Sequence, residues 1–186
     1  MNAEEMFRKS GAVLHGHFVL TSGLHSPEYW EKFKVMQYPE YVSALCGMIA
    51  DHYRGQNIQL VAGPTTAGII LAFETGRQLG TKAIYAEKTE NKGFVFKRGA
   101  AISPGDRVLV VDDILTTGGS IREVIAQVRE RGGTVAGIGV LVDRSEKGLD
   151  FGVPLFSCHR VSVVTYPPDK CPQCAEKTPL VKPGGS

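Results

Sequence analysis

Two adjacent carboxylates, Asp112 and Asp113, are followed closely by a turn rich in hydroxyls and glycine. The turn is Thr116, Thr117, Gly118, Gly119 and Ser120. A glycine turn that enters a helix presents free backbone N–H groups and the positive end of the helix dipole, which suits a phosphate, and hydroxyls add further donors. Because carboxylates would repel the phosphate, they must bind another part of the same ligand, and ribose hydroxyls are suitable donors. The stretch predicts a site for a sugar phosphate.

The elements around this turn favour the ligand site over a surface acid pair beside an ordinary strand–helix loop. The apolar run 108–111 predicts a strand buried on both faces that ends at the acid pair. After the turn, a helix is predicted because apolar residues recur on one face. These residues are Ile121, Val124, Ile125 and Val128.

The stretch 108–120 resembles the phosphoribosyl-pyrophosphate (PRPP) binding motif of type I phosphoribosyltransferases. The resemblance implies that Asp112 and Asp113 hold the ribose 2′ and 3′ hydroxyls and that the following loop wraps the 5′-phosphate. It also implies Mg²⁺, bound mainly through PRPP. It leaves the transferred base open, and some relatives keep the motif for regulation only.

A second loop, 63–68, follows the apolar run that begins at Leu60. It lacks the lysine and spacing of a nucleoside-triphosphate P-loop, and in isolation it reads as a tight strand–helix turn. It nevertheless presents hydroxyls and N–H groups at a helix start. Beside the first loop it resembles the family's pyrophosphate loop, which implies binding through Thr65, Thr66, Ala67 and Gly68.

A basic stretch follows the strand predicted at 83–86. It contains Lys88, Lys92, Lys97 and Arg98, and Gly93 indicates a hairpin turn. Such a cluster is commonly a solvated surface. Cations that close over PRPP would instead stabilise the charge on departing pyrophosphate. The stretch resembles the mobile catalytic loop of orotate phosphoribosyltransferases, which reaches into the neighbouring subunit's site. Family loops often carry a histidine and this one has none, so Lys88 and Lys92 are the catalytic candidates.

The segment 16–30 combines hydroxyls, two histidines and aromatic residues, after a helix predicted at 3–13. It reads either as a hairpin with a hydrophobic plug or as a lid over a planar ligand. Its Phe-x-Leu-x-Ser-Gly-x-x-Ser-Pro pattern, followed by two aromatics, resembles the N-terminal hood of orotate phosphoribosyltransferases. Thr21 stands where that family often has lysine. The resemblance implies that Ser22, Tyr29 and Trp30 bind orotate together with Thr116.

Arg144 follows the strand predicted at 134–142, where α/β folds bind ligands. It could pair with Asp143, or its planar fork could bind a carboxylate. Orotate carries a carboxylate, and the resemblance implies that Arg144 is the main specificity residue.

Three further segments carry weaker signals. A strand is predicted at 34–37, and a helix from Pro39 in which Cys46 packs as a small hydrophobic residue. A last strand is predicted at 155–166. Cys171 and Cys174 form half of a tetrahedral zinc site, which Cys158 and His159 could complete only if the strand end comes close. The interpretation favoured by sequence is tail cysteines without metal.

Length and composition predict one α/β domain, 1–186, in which helices flank a mostly parallel sheet. The hood would come mainly from 1–37 and the tail from 167–186. A net charge of +2 gives no reason to expect nucleic-acid binding. No apolar run is long enough for a membrane span. The four cysteines suggest no disulfide scaffold, so a reducing cytoplasm is expected.

The resemblance, from the hood through Arg144, implies the type I phosphoribosyltransferase fold and a homodimer with shared sites. It implies transfer of the phosphoribosyl group from PRPP to orotate, giving orotidine 5′-monophosphate and pyrophosphate, in pyrimidine biosynthesis. Two alternatives stay open at this point. One is a transferase for a purine or uracil. The other is a PRPP-sensing regulator, which would carry a DNA-binding domain or a basic RNA-binding face, and the sequence indicates neither.

Overall fold

The computed structural model describes residues 1–20, 22–90, 93–145 and 148–183. The chain divides into two compact units, which we call the hood unit (Met1–Gln37 with Ser162–Ser186) and the sheet unit (Tyr38–Val161). The division after Gln37 coincides with the expected end of the hood, while the single-domain assignment stays a prediction. Among the described helices, none has the length and apolar character that crossing a membrane requires.

The hood unit begins with helix α1, Ala3–Lys9. Its start is a capping box, in which the Asn2 side chain accepts from the backbone N–H of Glu5 at 2.9 Å and the Glu5 carboxylate accepts from that of Asn2 at 3.2 Å. The helix is shorter than predicted, because Gly11 adopts a φ of 68° just beyond its last turn.

An antiparallel hairpin follows, formed by β1 (Val13–Val19) and β2 (His25–Trp30). The predicted strand at 34–37 is wrong, because helix α2 covers Lys32–Met36. Glu31 accounts for the helix, since its carboxylate accepts from the backbone N–H of Phe33 at 3.2 Å and caps the first turn.

The sheet unit contains six strands in the order β5-β4-β3-β6-β7-β8, and only the β4–β5 pair is antiparallel among these described strands. The strands are β3 (Leu60–Pro64), β4 (Lys82–Lys88), β5 (Phe94–Phe96), β6 (Arg107–Leu115), β7 (Thr134–Asp143) and β8 (Leu155–Arg160). Three helices accompany them: α3 (Pro39–Tyr53), α4 (Ala67–Leu79) and α5 (Gly119–Glu130). The predicted mostly parallel α/β architecture is confirmed.

The order of the strands creates a switch point between β3 and β6. From β3 the chain passes through α4 to β4 on one side, and from β6 it passes through α5 to β7 on the other. In open α/β sheets, ligands bind outside the carboxyl ends of the strands at such a point. The loops that follow β3 and β6 are the two that the sequence assigned to PRPP.

The core of the sheet unit lies around β6 and β7. Residues 108–111 are fully buried, and the predicted apolar face of α5 packs against the sheet. Cys46 is buried in α3, as predicted for a small hydrophobic residue, and burial raises the pKa of its thiol to about 12.

The tail returns to the hood unit after β8, which is shorter than the predicted strand at 155–166. Instead of continuing β8, Tyr166 forms a backbone bridge with His25, and Val181 forms one with Phe18. Between these bridges lie a 3₁₀ turn, Pro168–Lys170, and the short helix α6, Pro172–Ala175.

Tyr53, the last residue of α3, contacts both β7 and the loop before β8. Its hydroxyl lies 2.8 Å from the carbonyl oxygen of Ile138 and 3.2 Å from that of Pro154, and it accepts from the Ile138 N–H at 3.2 Å. Burial raises the pKa of Tyr53 to about 12, so it remains a donor. The ring occupies space that only glycine leaves open, since a Cβ at Gly137 would lie 2.4 Å from it.

We expect Tyr53→Phe to lower the free energy of unfolding by about 1 kcal/mol, because the buried hydrogen bond from the hydroxyl to the Ile138 carbonyl is lost. Urea denaturation of the variant measures the change. Tyr41→Phe, on the same helix, is the control, because the Tyr41 hydroxyl makes no hydrogen bond to a described residue. Equal losses in both variants would contradict a role for the Tyr53 hydroxyl.

Candidate active site

The acid pair lies inside strand β6 and not after it, because the strand continues to Leu115. Side chains of successive strand residues point to opposite faces, and the two acids differ accordingly. Asp112 is half-buried and lines an open depression that the turn after β6 forms. Asp113 is 4% exposed and is not among the described residues that line this depression. The Asp112 carboxylate accepts from the backbone N–H of Asp113 at 2.9 Å.

The turn after β6 forms an open depression with a polar lining, as a phosphate cradle requires. Its lining consists of Asp112 and residues 114–121. Thr116, Thr117 and Gly119 are exposed at its surface. Because the first N–H groups of a helix have no acceptor within it, the start of α5 directs donors into this depression. The structure therefore brings the predicted hydroxyls and backbone donors together.

Gly118 shapes the cradle through its backbone conformation and its packing. It precedes α5 with a φ of 77°, which favours glycine. A Cβ at this position would lie 2.7 Å from Phe151 Cζ and 3.1 Å from Leu149 Cδ1. Leu149 and Phe151 support the loop from behind. Sequence reasoning missed both, because no local pattern connects them to the motif.

The second loop, between β3 and α4, is equally close-packed. A Cβ at Gly63 would lie 2.4 Å from the carbonyl oxygen of Gly68. The two ends of the loop are therefore so close that a residue with a side chain would not fit at position 63. The peptide bond between Thr65 and Thr66 is cis. Since β3 and β6 are hydrogen-bonded neighbours, Thr65, Thr66, Ala67 and Gly68 lie beside the first loop.

Lys88 is the last residue of β4, with an exposed side chain. Its backbone N–H donates to Thr65 Oγ1 at 3.3 Å, which connects the start of the basic stretch to the second loop. The predicted hairpin is confirmed, since β4 pairs with β5 and the Thr89 N–H donates to the Gly93 carbonyl at 2.7 Å. Lys92 lies outside the described residues.

Arg98, another cation of this stretch, is held at the edge of the hairpin. Its Nε lies 2.7 Å from Glu87 Oε1 in an exposed ion pair. This contact distinguishes Arg98 from Lys88 and leaves Lys88 as the described cation that is placed directly beside the second loop.

Arg144 follows β7, the strand next to β6. Its backbone N–H donates to the Leu115 carbonyl at 2.8 Å, so it lies at the same sheet edge as the cradle. Asp143 is buried and accepts from the N–H and hydroxyl of Ser145 at 2.9 and 2.7 Å. Its other oxygen lies 3.7 Å from Arg160 Nε.

The three hood residues assigned to orotate belong to the hood unit. Ser22 is exposed at the hairpin turn, and the Tyr29 ring packs 5.8 Å from that of Phe18. Trp30 is 3% exposed, packs on Phe7 and donates its indole N–H to Glu28 Oε1 at 2.5 Å. These contacts give Trp30 a packing role in the hood, and an orotate contact for all three stays a prediction. Thr21 lies outside the described residues.

The chemistry available at this edge of the sheet is binding and charge stabilisation. It offers two adjacent loops suited to anions, a carboxylate beside one of them, a lysine whose backbone contacts the other and an arginine just after the next strand. This combination suits a ligand that carries a ribose, a phosphate and a second phosphate group.

Comparisons with known proteins agree with this geometry. Residues 35–159 match the family described as the phosphoribosyl transferase domain. The orotate phosphoribosyltransferase of Pelotomaculum thermopropionicum is 49% identical, over 96% of this chain and 94% of that protein. The enzyme of the same name from Chlorobaculum parvum is also 49% identical, over 96% of this chain and 92% of that protein.

A solved structure supports the fold as well. The crystal structure of orotate phosphoribosyltransferase from Aeropyrum pernix superposes with a TM-score of 0.73 and 31% identity, and the match covers 87% of this chain and 94% of that one. The predicted type I phosphoribosyltransferase fold is therefore confirmed. The chain belongs to the phosphoribosyltransferase family and, within it, to the orotate phosphoribosyltransferases.

Proposed function

We propose that this chain is an enzyme that transfers the 5-phosphoribosyl group of PRPP to orotate, giving orotidine 5′-monophosphate and pyrophosphate in pyrimidine biosynthesis. The observation that carries the proposal is the adjacency of three features at one sheet edge. These are the cradle after β6, the loop after β3 and Arg144 after β7. Identity to orotate phosphoribosyltransferases over nearly the whole chain supports orotate over a purine or uracil.

The reaction exchanges one bond at ribose C1. The bond from C1 to the pyrophosphate oxygen breaks and its electron pair leaves with pyrophosphate, while a ring nitrogen of orotate forms the new bond. The transition state has oxocarbenium character. Asp112, which lines the depression, accepts from the ribose hydroxyls and holds the sugar while C1 moves between leaving group and base. The family resemblance implies the same role for Asp113, which is buried and lies on the other face of the strand. They position the substrate and do not act as general bases.

The remaining groups stabilise charge. The turn 116–120 binds the 5′-phosphate through backbone N–H groups and hydroxyls. The loop 65–68 binds pyrophosphate. Lys88, anchored beside it, acts on the charge that develops as pyrophosphate departs.

Magnesium fits this site as a partner of the substrate. Its preferred ligands are oxygens, and Asp112 contributes a carboxylate near the cradle. Among the described residues, three or more potential metal ligands come together in one place, and those are histidines and cysteines of the hood unit. The described part of the sheet edge offers no comparable group, so PRPP oxygens would supply most of the Mg²⁺ ligands there. When bound, Mg²⁺ supplies positive charge to the pyrophosphate leaving group.

The family resemblance also supports a homodimer in which the stretch after Lys88 reaches the partner's site. An exposed Lys88 at the end of β4 is compatible with that arrangement. A cytoplasmic location stays a prediction from the cysteine content.

The decisive experiment is spectrophotometric orotate depletion with PRPP and Mg²⁺. We expect Arg144→Ala to raise KM for orotate by roughly 10- to 100-fold, with a smaller change for PRPP, because a charge-assisted contact to the carboxylate contributes about 1.5–3 kcal/mol. Arg144→Lys should rescue only part of this, since lysine lacks the planar fork.

Arg129→Ala is the matched control, because Arg129 is exposed near the end of α5. Activity on adenine, hypoxanthine or uracil above that on orotate would overturn the assignment of the base. Retained PRPP binding without any product would favour a PRPP-sensing regulator.

A further inference from the structure

Four potential metal ligands converge within the hood unit. They are His17, His25, Cys171 and Cys174, and their ligand atoms all lie within 4.8 Å of one another. His17 and His25 are 2% and 5% exposed, and Cys171 is 4% exposed. The sequence interpretation of tail cysteines without metal considered only Cys158 and His159 as completing ligands. It did not combine the cysteines with the hairpin histidines, which are distant in sequence.

Four of the six distances between these atoms are close to the edges of a zinc tetrahedron. Zinc bonds of about 2.0–2.1 Å to nitrogen and 2.3 Å to sulfur place two nitrogens about 3.3 Å apart and a nitrogen about 3.6 Å from a sulfur. His17 Nε2 lies 3.0 Å from His25 Nδ1 and 3.4 Å from Cys171 Sγ. Cys174 Sγ lies 3.7 Å from the first of these nitrogens and 3.3 Å from the second.

The tautomer of His17 is fixed in the form that a metal needs. Its Nδ1 lies 2.8 Å from the backbone carbonyl oxygen of Thr178, which can only accept. Nδ1 therefore carries the hydrogen, and the lone pair of Nε2 faces His25 and the two thiols. A second hydrogen bond of this kind is typical of metal-bound histidines.

The backbone holds both halves of the cluster in place. His17 lies in β1 and His25 in β2, and both strands also pair with the tail. The His25 N–H donates to the Tyr166 carbonyl at 2.8 Å, and the Val181 N–H donates to that of His17 at 2.8 Å. Cys171 immediately precedes α6 and Cys174 lies within it, and the two have the spacing of zinc-binding C-x-x-C pairs. Two ligands on the hairpin thus face two on the tail.

We propose that His17, His25, Cys171 and Cys174 bind one zinc ion that fastens the C-terminal tail to the hood hairpin. Four protein ligands leave no open coordination position, so the site is structural and not catalytic. The proposal concerns the stability of the hood unit and is independent of the transferase reaction.

The first test is the metal content of the full-length protein purified without chelator. We expect about one zinc per chain by mass spectrometric elemental analysis, as for a closed four-ligand site. Replacement by Co²⁺ should give the intense visible bands of tetrahedral cobalt together with thiolate-to-metal charge transfer. Cys174→Ser and His25→Ala should lose the zinc and the cobalt spectrum.

Cys158→Ala is the matched control and should keep the full zinc content. Cys158 lies in β8, donates to the Leu45 carbonyl at 3.3 Å and is not part of the cluster. Burial raises the pKa of its thiol to about 12, so it is a poor metal ligand at neutral pH.

A second readout addresses the role of the metal in wild-type protein. Removing zinc with a chelator should speed tryptic cleavage at Lys170 and Lys177, which are exposed in the tail, and adding zinc back should restore protection. This comparison needs no variant and so does not depend on how a variant folds.

Three results would overturn the proposal. The first is protein without zinc that also fails to take up zinc or cobalt when reduced. The second is an intact mass that shows a Cys171–Cys174 disulfide in protein kept under reducing conditions. The third is zinc retained unchanged in Cys174→Ser and His25→Ala.

Discussion

Replacing Lys88 by alanine is expected to lower kcat by about 100- to 1,000-fold, the range for loss of one group that stabilises developing charge. The backbone N–H of Lys88 donates to Thr65 Oγ1, so the residue lies beside the loop that we propose binds pyrophosphate. Pyrophosphate gains charge only as the bond to C1 breaks. An ammonium group directed at it therefore contributes more to the transition state than to binding of the substrates.

The measurement is steady-state kinetics with PRPP and orotate varied separately. KM for orotate should change little, since the role proposed for Lys88 is on the other substrate. Lys82→Ala is the control, because Lys82 is also exposed and begins the same strand at the opposite end of the sheet. If kcat stayed normal while KM for either substrate rose in proportion to the loss of kcat/KM, Lys88 would be a binding residue only.

The parts of the site that are local in sequence could be predicted. A buried strand, the pair Asp112 and Asp113, the hydroxyl turn and the amphipathic helix follow one another directly, so their pattern alone indicates the cradle. The hairpin at Gly93 and the position of Arg144 at a strand end are local in the same sense.

The parts that depend on distant contacts could not be predicted. Phe151 supports Gly118 from a loop far along the chain, and the Lys88 contact with Thr65 requires β4 to pair with β3. The clearest example is the group of two histidines and two cysteines in the hood unit, since only the pairing of the tail with the hairpin brings them together.

The predicted boundaries of some elements were wrong for a different reason. The segment 34–37 was predicted as a strand, although Glu31 caps a helix there. Strand β6 continues through the acid pair because Leu115 still pairs with Asp143 of β7. Charged residues are depleted in strands on average. A prediction from the local pattern therefore places the end of the strand too early where a site requires acids within it.

Substituting Gly118 by alanine is expected to cost about 2–4 kcal/mol of unfolding free energy and to raise KM for PRPP. One contribution comes from the backbone, because a φ of 77° strains a residue that has a Cβ. The other is steric, because the new Cβ would lie 2.7 Å from Phe151 Cζ in a buried cluster, and overpacking of this kind costs about 1–3 kcal/mol.

A double-mutant cycle separates the two contributions. In a Phe151→Leu background the steric contribution should largely vanish, so that Gly118→Ala costs only about 1 kcal/mol there, the lower end for backbone strain. The cycle is measured by urea denaturation, with KM for PRPP as the second readout. Gly148→Ala is the control, since a Cβ there meets nothing within 4 Å and its φ is not in the left-handed region.

Recovery of KM for PRPP in the double variant would show that Phe151 acts on the cradle through Gly118, because Phe151 itself is not among the described residues that line the depression. Fully additive costs would contradict this account, since independent residues should not couple. The cradle would then depend on backbone strain at Gly118 alone. Coupling of about 1 kcal/mol or more would instead make the buried Phe151 a determinant of PRPP affinity.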